Sequence, residues 1–350
     1  VAHLRSFGHT RIGLAVGRLL WRPGPQEERP PHPLTVREVD RETIELRVHL
    51  GSEVQVLDPL IAAKQGADNA PAYRGVAYAV VENLDIGEYG NRIPQMQFEV
   101  IRPVGELQRR IRAVSLIPGA TEYRLSTKVV TRMKRPGVVE AENRHVLHAG
   151  TDIAASLDEL QMLCPNLENI ALVVAWFGDD LRAGECRVRP GVTNASASGL
   201  SAVWRVSGVD RAEAMVVSAH RGGPAYGGTP SDQSVREAIA EIRARGLKVT
   251  LYPFVMMDIP EANGLPDPYG GPRQASYPWR GRMTCTPAPM LPGTADRTPA
   301  ARSQIAAFCG QAARSQFSAT ADSVEFAGNP GDWGYRRFVL HYAQLAASAG

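Results

Sequence analysis

Residues Thr229 to Gly246 read TPSDQSVREAIAEIRARG and run without a spacer into KVTLYPFV, and this junction limits the fold more than any other feature of the chain. Val235, Ala238, Ile239 and Ile242 fall on one stripe of a helix. Thr229 is placed to cap that helix, Pro230 suits its first turn, Asp232 sits near the positive end of its dipole, and Gly246 closes it. The strand that follows is apolar on both faces, as strands of covered parallel sheets are. A helix that closes directly into such a strand is half of a parallel βα unit.

The same grammar begins near residue 150. TDIAASLDELQMLCPN reads as a helix, with Ser156 and Glu159 at capping-box spacing and Pro165 ending it. NIALVVAWFGDD follows as a continuous apolar strand, and AEAMVVSAH (Ala212 to His220) as another. Parallel strands are therefore expected near 169–176, 212–219 and 247–255. Such units build either a barrel or a doubly wound sheet. No glycine-rich phosphate loop follows NIALVVAWF, which disfavours a dinucleotide fold and leaves the barrel ahead.

Upstream the pattern differs. TIELRVHLG (Thr43 to Gly51), RGVAYAVVE (Arg74 to Glu82) and QMQFEVIRP (Gln95 to Pro103) alternate with period two, as antiparallel strands with one wet face do. GEYGNRIP reads as a turn, and RPGPQEERPPHP (Arg22 to Pro33) as an exposed insertion. MKRPGVVEAENRH, with Pro, Gly and charges but no periodic face, reads as a link between two parts. The chain opens without Met, and Gly350 falls where a strand would normally follow a helix, so it reads as cut at both ends.

Composition removes several classes of function. A net charge of +3 over 350 residues, with dispersed basic residues, gives no nucleic-acid footprint. Cys164, Cys186, Cys285 and Cys309 are isolated, so neither a metal nor a disulfide framework is expected. The apolar runs are too short to span a bilayer, and no cofactor motif is present.

The words WFGDDLRAGECRVRP, AYGGTPSDQSV, RARGLKVTLYPFVMMDIP and YPWRGRMTC together resemble the TIM-barrel-like domain of the large tail-hub protein of gene transfer agents and related siphophages. NAPAYRGVAYAVVENLDIGEYGNRIPQMQFEV resembles the baseplate hub region that precedes that barrel. The resemblance covers roughly residues 40–350; the first 40 residues, with their Pro-rich insertion, depart from it. It implies an α/β chain: an incomplete (β/α)8 TIM-barrel-like domain, similar to glycoside hydrolases, preceded by a mainly antiparallel β (α+β) hub-like segment. The boundaries expected are a hub-like segment at 1–133, a linker at 134–150 and the N-terminal part of the barrel at 151–350. Only three barrel strands are expected before Gly350, which leaves a sheet edge unpaired.

In a (β/α) barrel the functional face is built by the loops after the strands, which places Asp179, Asp180, His220, Asp258 and Glu261 there. Two of these carboxylates could flank a glycosidic bond, at about 5–5.5 Å apart for retention or about 6.5–9.5 Å for inversion. The competing reading is structural: Asp179 and Asp180 cap or pair with Arg182 and Arg187, and Asp258 satisfies backbone donors in a turn. Trp176, Tyr226, Tyr252 and Trp279 suit stacking on sugar rings or packing in the core and loops. His220 suits acid–base work or a structural hydrogen bond. RGGPAYGGTP lacks phosphate-loop spacing and reads as a rim loop.

Two functions therefore compete. One is a structural tail-tip (baseplate) protein of a virion-like particle, assembled in the bacterial cytoplasm, with other tail proteins and copies of itself as partners and cell-surface glycan as a contact. The other is a glycoside hydrolase acting on envelope polysaccharide. The hub-like strands favour the first, because a free hydrolase has no use for them; a degenerate gene piece is a third reading.

Overall fold

The computed structural model describes residues 2–5, 34–37, 43–49, 54–82, 97–100, 106–117, 122–146, 149–278 and 282–350. The Pro-rich stretch 22–33, the turn at 87–94 and Trp279 lie outside the described residues. Contacts divide this mixed α/β chain into two units. The first comprises Val1–Ile111, Val146–Gly150 and Ala155–Asn166, and the second Arg112–His145, Thr151–Ala154 and Leu167–Gly350.

The first unit holds β1 (Ala2–Arg5), β2 (Leu34–Arg37), β3 (Thr43–His49), α1 (Pro59–Gln65), β4 (Tyr78–Glu82), β5 (Gln97–Val100) and α2 (Glu106–Arg110). Among the described residues its strand pairings are antiparallel: β2–β3–β4 form one sheet, while β5 pairs with β1. The β4 strand starts later than its alternation suggests, because Tyr73 and Gly75 take positive φ in a turn just before it. Burial around α1 is polar. Arg47 donates to Asp58 at 2.9 and 3.0 Å, His49 Nε2 lies 2.7 Å from the same carboxylate, and Asp58 caps α1 by accepting from Leu60 N at 2.9 Å. The Arg47 guanidinium holds the Asp58 carboxyl well below the usual range.

The second unit opens with β6 (Ala113–Leu116) and the hairpin of β7 (Thr131–Arg135) and β8 (Val138–Ala141). That hairpin lies largely where the sequence suggests irregular chain, and Gly137 at its tip takes φ +79°. Helix α3 (Asp152–Leu163), of which only the first residues fall in this unit and Ala155 onward in the first, starts at Asp152, so Ser156 and Glu159 lie inside it and form no capping box. Next come β9 (Asn169–Gly178), β10 (Val188–Arg189), β11 (Gly191–Val192), β12 (Arg205–Val206), β13 (Val209–Asp210), β14 (Met215–Val216), β15 (Ala219–His220) and β16 (Gly223–Pro224). Helix α4 (Asp232–Ala244), β17 (Lys248–Met257), α5 (Pro299–Cys309), β18 (Phe317–Ala319), β19 (Val324–Phe326) and α6 (Tyr335–Ala349) complete it.

The principal sheet is parallel. Strand β9 pairs along its whole length with β17, from Asn169↔Lys248 to Gly178↔Met257, and with β6 from Asn169↔Ala113 to Leu172↔Leu116. β10 adds a short antiparallel pairing at the C-terminal end of β9. Among the described residues no strand covers the outer edge of β17. Ile170, Leu172, Val174 and Trp176 on one face of β9 are buried, as are Val173 and Phe177 on the other. The α4 stripe of Val235, Ala238, Ile239 and Ile242 is likewise buried, at about 1.5–3 kcal/mol for each large aliphatic side chain.

Two expectations fail locally. The α4 N-cap is Ser231, which accepts from Ser234 N; Thr229 instead bridges two strands, donating to Ala175 O at 2.8 Å and accepting from Gly191 N at 3.0 Å. The run 212–219 is not one strand and does not join the β6–β9–β17 sheet. Arg211–Glu213 form a 3₁₀ turn, Met215–Val216 pair in parallel with β11, and Ala219–His220 form a hairpin with β16. The reason is competing partners: Arg211 is drawn to Glu122 (2.8 Å) and the Tyr123 hydroxyl (3.0 Å), while Ser218 N donates to a side chain instead of a ladder.

Candidate functional site

The C-terminal ends of β9 and β17 lie side by side, and the ladder runs one residue further through Asp258 N to Gly178 O at 2.8 Å. Asp179, Asp180 and Asp258 therefore leave the sheet together. Each closes its own hydrogen-bond network. Asp179 accepts from Arg187 N at 2.8 Å and pairs with Arg189 at 2.9 Å. Asp180, buried, accepts from Arg182 N (2.8 Å), the Arg182 guanidinium (2.6 and 3.0 Å) and Gln274 Nε2 (2.7 Å).

Asp258 is only 5 % exposed, and both of its oxygens accept from Ser218, Oδ1 from the hydroxyl at 2.5 Å and Oδ2 from the backbone N–H at 2.9 Å. Tyr277 extends this chain outward: its hydroxyl lies 3.0 Å from Ser218 Oγ and 3.3 Å from Ala219 O. Tyr277 is held in turn by its own N–H to Ile259 O at 2.9 Å. Tyr226 donates to Met257 O at 3.1 Å, and burial, with the Asp258 charge adding to it, pushes its phenol above the ordinary value. It is a neutral donor at physiological pH.

Around this chain the rings of Tyr226 and Tyr277 meet nearly at right angles (5.9 Å, 80°), as do those of His220 and Tyr277 (5.1 Å, 71°). Glu261, exposed, lies 3.4 Å from His220 Nδ1. Arg221 and Gly222, both at positive φ, make the tight turn that presents His220. The strand ends thus bring together Asp258, His220, Tyr226 and Glu261, joined by Ser218 and Tyr277, which sequence reasoning missed. Ser218 sits in MVVSAH at a strand end, and that position is its only signal in the sequence; nothing local marks Tyr277, 59 residues away.

The other expected aromatic residues stand elsewhere. Trp176 is 0 % exposed, enclosed by Trp333, Phe338, His341 and Tyr342 at 5.2–6.2 Å, and presents no face to a ligand. Tyr252 is 46 % exposed but lies mid-strand on β17, its ring set edge-on to Phe254. Trp279 lies outside the described residues.

Chemically the cluster can bind and orient. Glycoside hydrolysis needs two carboxyl groups reaching the scissile bond, one of them as proton donor. Here the buried carboxylate is an acceptor for Ser218, and the pair after β9 is held by arginines and Gln274. Among the described residues no group of three or more His, Cys, Asp or Glu forms a metal-ion cluster, and no helix is long and apolar enough to cross a membrane. The chain matches no known family model, and no curated protein is significantly similar to it.

Proposed function

We propose that this chain is a structural tail-tip (baseplate hub) protein of a phage-like particle of the gene-transfer-agent kind. Its second unit then belongs to a TIM-barrel-like domain retained for contact and not for hydrolysis. The single observation that carries the non-catalytic reading is the engagement of Asp179, Asp180 and Asp258: each spends its oxygens on donors of its own surroundings. The parallel β6–β9–β17 sheet is consistent with consecutive barrel strands, and the antiparallel pairings of the first unit with a hub-like module. The assembly partners are other tail proteins and further copies of this chain, and the Tyr226–Tyr277–His220 corner is the surface offered to envelope glycan.

Two measurements test this. Antibody raised against residues 151–350 should label the tail tip of purified particles in negative stain; label confined to soluble fractions overturns the hub assignment. Incubation with a panel of envelope polysaccharides should release no reducing sugar. Release that is lost in Asp258→Asn favours the glycoside hydrolase instead.

A further inference from the structure

Helix α5 is apolar and yet buries nothing. Its sequence PAARSQIAAFC holds a single charge, Arg302, but none of its residues is buried, and Ile305 is 52 % exposed. Its attachment is partly polar: Gln304 accepts from Thr286 N at 2.7 Å and donates to Thr286 O at 2.8 Å. One apolar contact ties it to the next helix, where the ring of Phe308 stacks on Tyr335 of α6 at 5.3 Å and 18°.

Helix α6 extends the same surface. Phe338, Tyr342 and Leu345 bury its inner stripe. A helix at a protein surface turns charged and polar residues outward, but the outer side of α6 carries Tyr335 (39 % exposed) and Val339 (42 %) one turn apart, followed by exposed Ala343 and Ala346. The apolar row therefore crosses from Ile305 through Phe308 to Tyr335 and Val339. Single exposed apolar residues are ordinary, whereas a contiguous set across two elements marks a contact surface. The charges beside it have one sign. Neither helix contains Asp or Glu, and Arg302 and Arg336, both exposed, make no hydrogen bond or ion pair among the described residues. Asp332, at the junction of the two helices, is spent on Gln311 N at 2.8 Å and Gly334 N at 3.3 Å.

We propose that the α5–α6 face docks an acidic amphipathic helix of a partner protein. The partner's apolar stripe would cover Ile305, Tyr335 and Val339, and the alanines of α6 would let its backbone approach closely. Glutamates or aspartates flanking that stripe would pair with Arg302 and Arg336, which supply the charge complementarity that sets orientation and excludes basic partners. A second copy presenting this same face would set arginine against arginine. Two arginines beside a short apolar row are also far from the lysine- and arginine-rich face that holds a helix on a membrane. The inference is independent of the tail-hub reading.

The test is fluorescence anisotropy of the full chain with a labelled synthetic peptide of about 18 residues, long enough to form a helix, that carries a Leu/Ala stripe flanked by Glu. The same peptide with Lys in place of Glu, and phosphatidylserine–phosphatidylcholine vesicles, are the comparators. Saturable binding of the Glu peptide, weakened by salt, is expected. Ile305→Asp should weaken it roughly tenfold or more, as loss of a central apolar anchor does. The double variant Arg302→Glu with Arg336→Glu should reverse the preference to the Lys peptide. No saturable binding of the Glu peptide, equal binding of the Lys peptide, an unchanged affinity in Ile305→Asp, or stronger binding to the vesicles overturns the proposal. So does sedimentation showing a dimer that Ile305→Asp dissolves, which assigns the face to a second copy. Should Ile305→Asp fail to fold, the double variant decides, because both arginines are exposed and hold no partner.

Discussion

Asp258 offers a perturbation whose size depends on what the carboxylate is for. Among the described residues it accepts two hydrogen bonds, both from Ser218, and it is 5 % exposed. Truncation to Ala deletes both bonds and leaves the Ser218 N–H without its partner. Bonds to a charged group are worth about 1.5–3 kcal/mol each and an orphaned buried donor costs about 1–3 kcal/mol. Ser218 is only half-buried and water will replace part of this, so the expected loss is about 2–4 kcal/mol. Asn is gentler. Its carbonyl can still accept from Ser218 N, and its amide can donate to Ser218 Oγ once that hydroxyl turns its proton elsewhere. The exchange of charged for neutral bonds should cost about 1 kcal/mol. The assay is equilibrium urea unfolding followed by tryptophan fluorescence, with ΔG taken from midpoint and slope. Asn should lie between wild type and Ala. An Ala variant as stable as wild type, or more stable, would refute a structural role for Asp258, since removing a functional carboxylate commonly stabilises.

Trp176→Ala should be among the most damaging core substitutions, at about 3–5 kcal/mol, and Trp176→Phe much milder; a thermal shift near zero would place the ring outside the core. Glu325 is held below its ordinary value of 4.5 by the Arg205 guanidinium. A depressed folded-state pKa contributes stability above the unfolded value that is lost as pH falls through the folded one, so Glu325→Gln should flatten the decline in stability below pH 4.5 measured by chemical denaturation. Burial pushes the Cys186 thiol up to about 12, while Cys285 and Cys309 are partly exposed. Mass spectrometry after iodoacetamide at pH 8 should therefore find Cys186 the least modified of the three, and equal labelling would contradict its burial.

The sequence by itself determined the elements whose signal is local and repeated. The α4 stripe, the β9 and β17 strands and β3, β4 and β5 of the first unit each follow from side-chain patterning over several residues, and for α4 and β9 burial gives that pattern its cause. A continuous apolar strand followed later by a capped helix and another such strand has few solutions, and the parallel pairing of β9 with β17 is the one realised. The tertiary structure decided the rest. AVSL in β6 is too short to carry a period, and it becomes a strand because the free edge of β9 supplies partners for its backbone. The run 212–219 looks like a strand, yet the distant partners of Arg211 and Ser218 turn its backbone aside, since a single charged or buried hydrogen bond outweighs a weak β preference. Trp176 was equally fit for a sugar or a core, and the packing of α6 against β9 put it inside. The candidate site shows the same division. Strand ends place Asp258 and His220, but Ser218, Tyr277 and Asp258 meet across separations of 40 and 59 residues, which only the folded chain brings within hydrogen-bond reach.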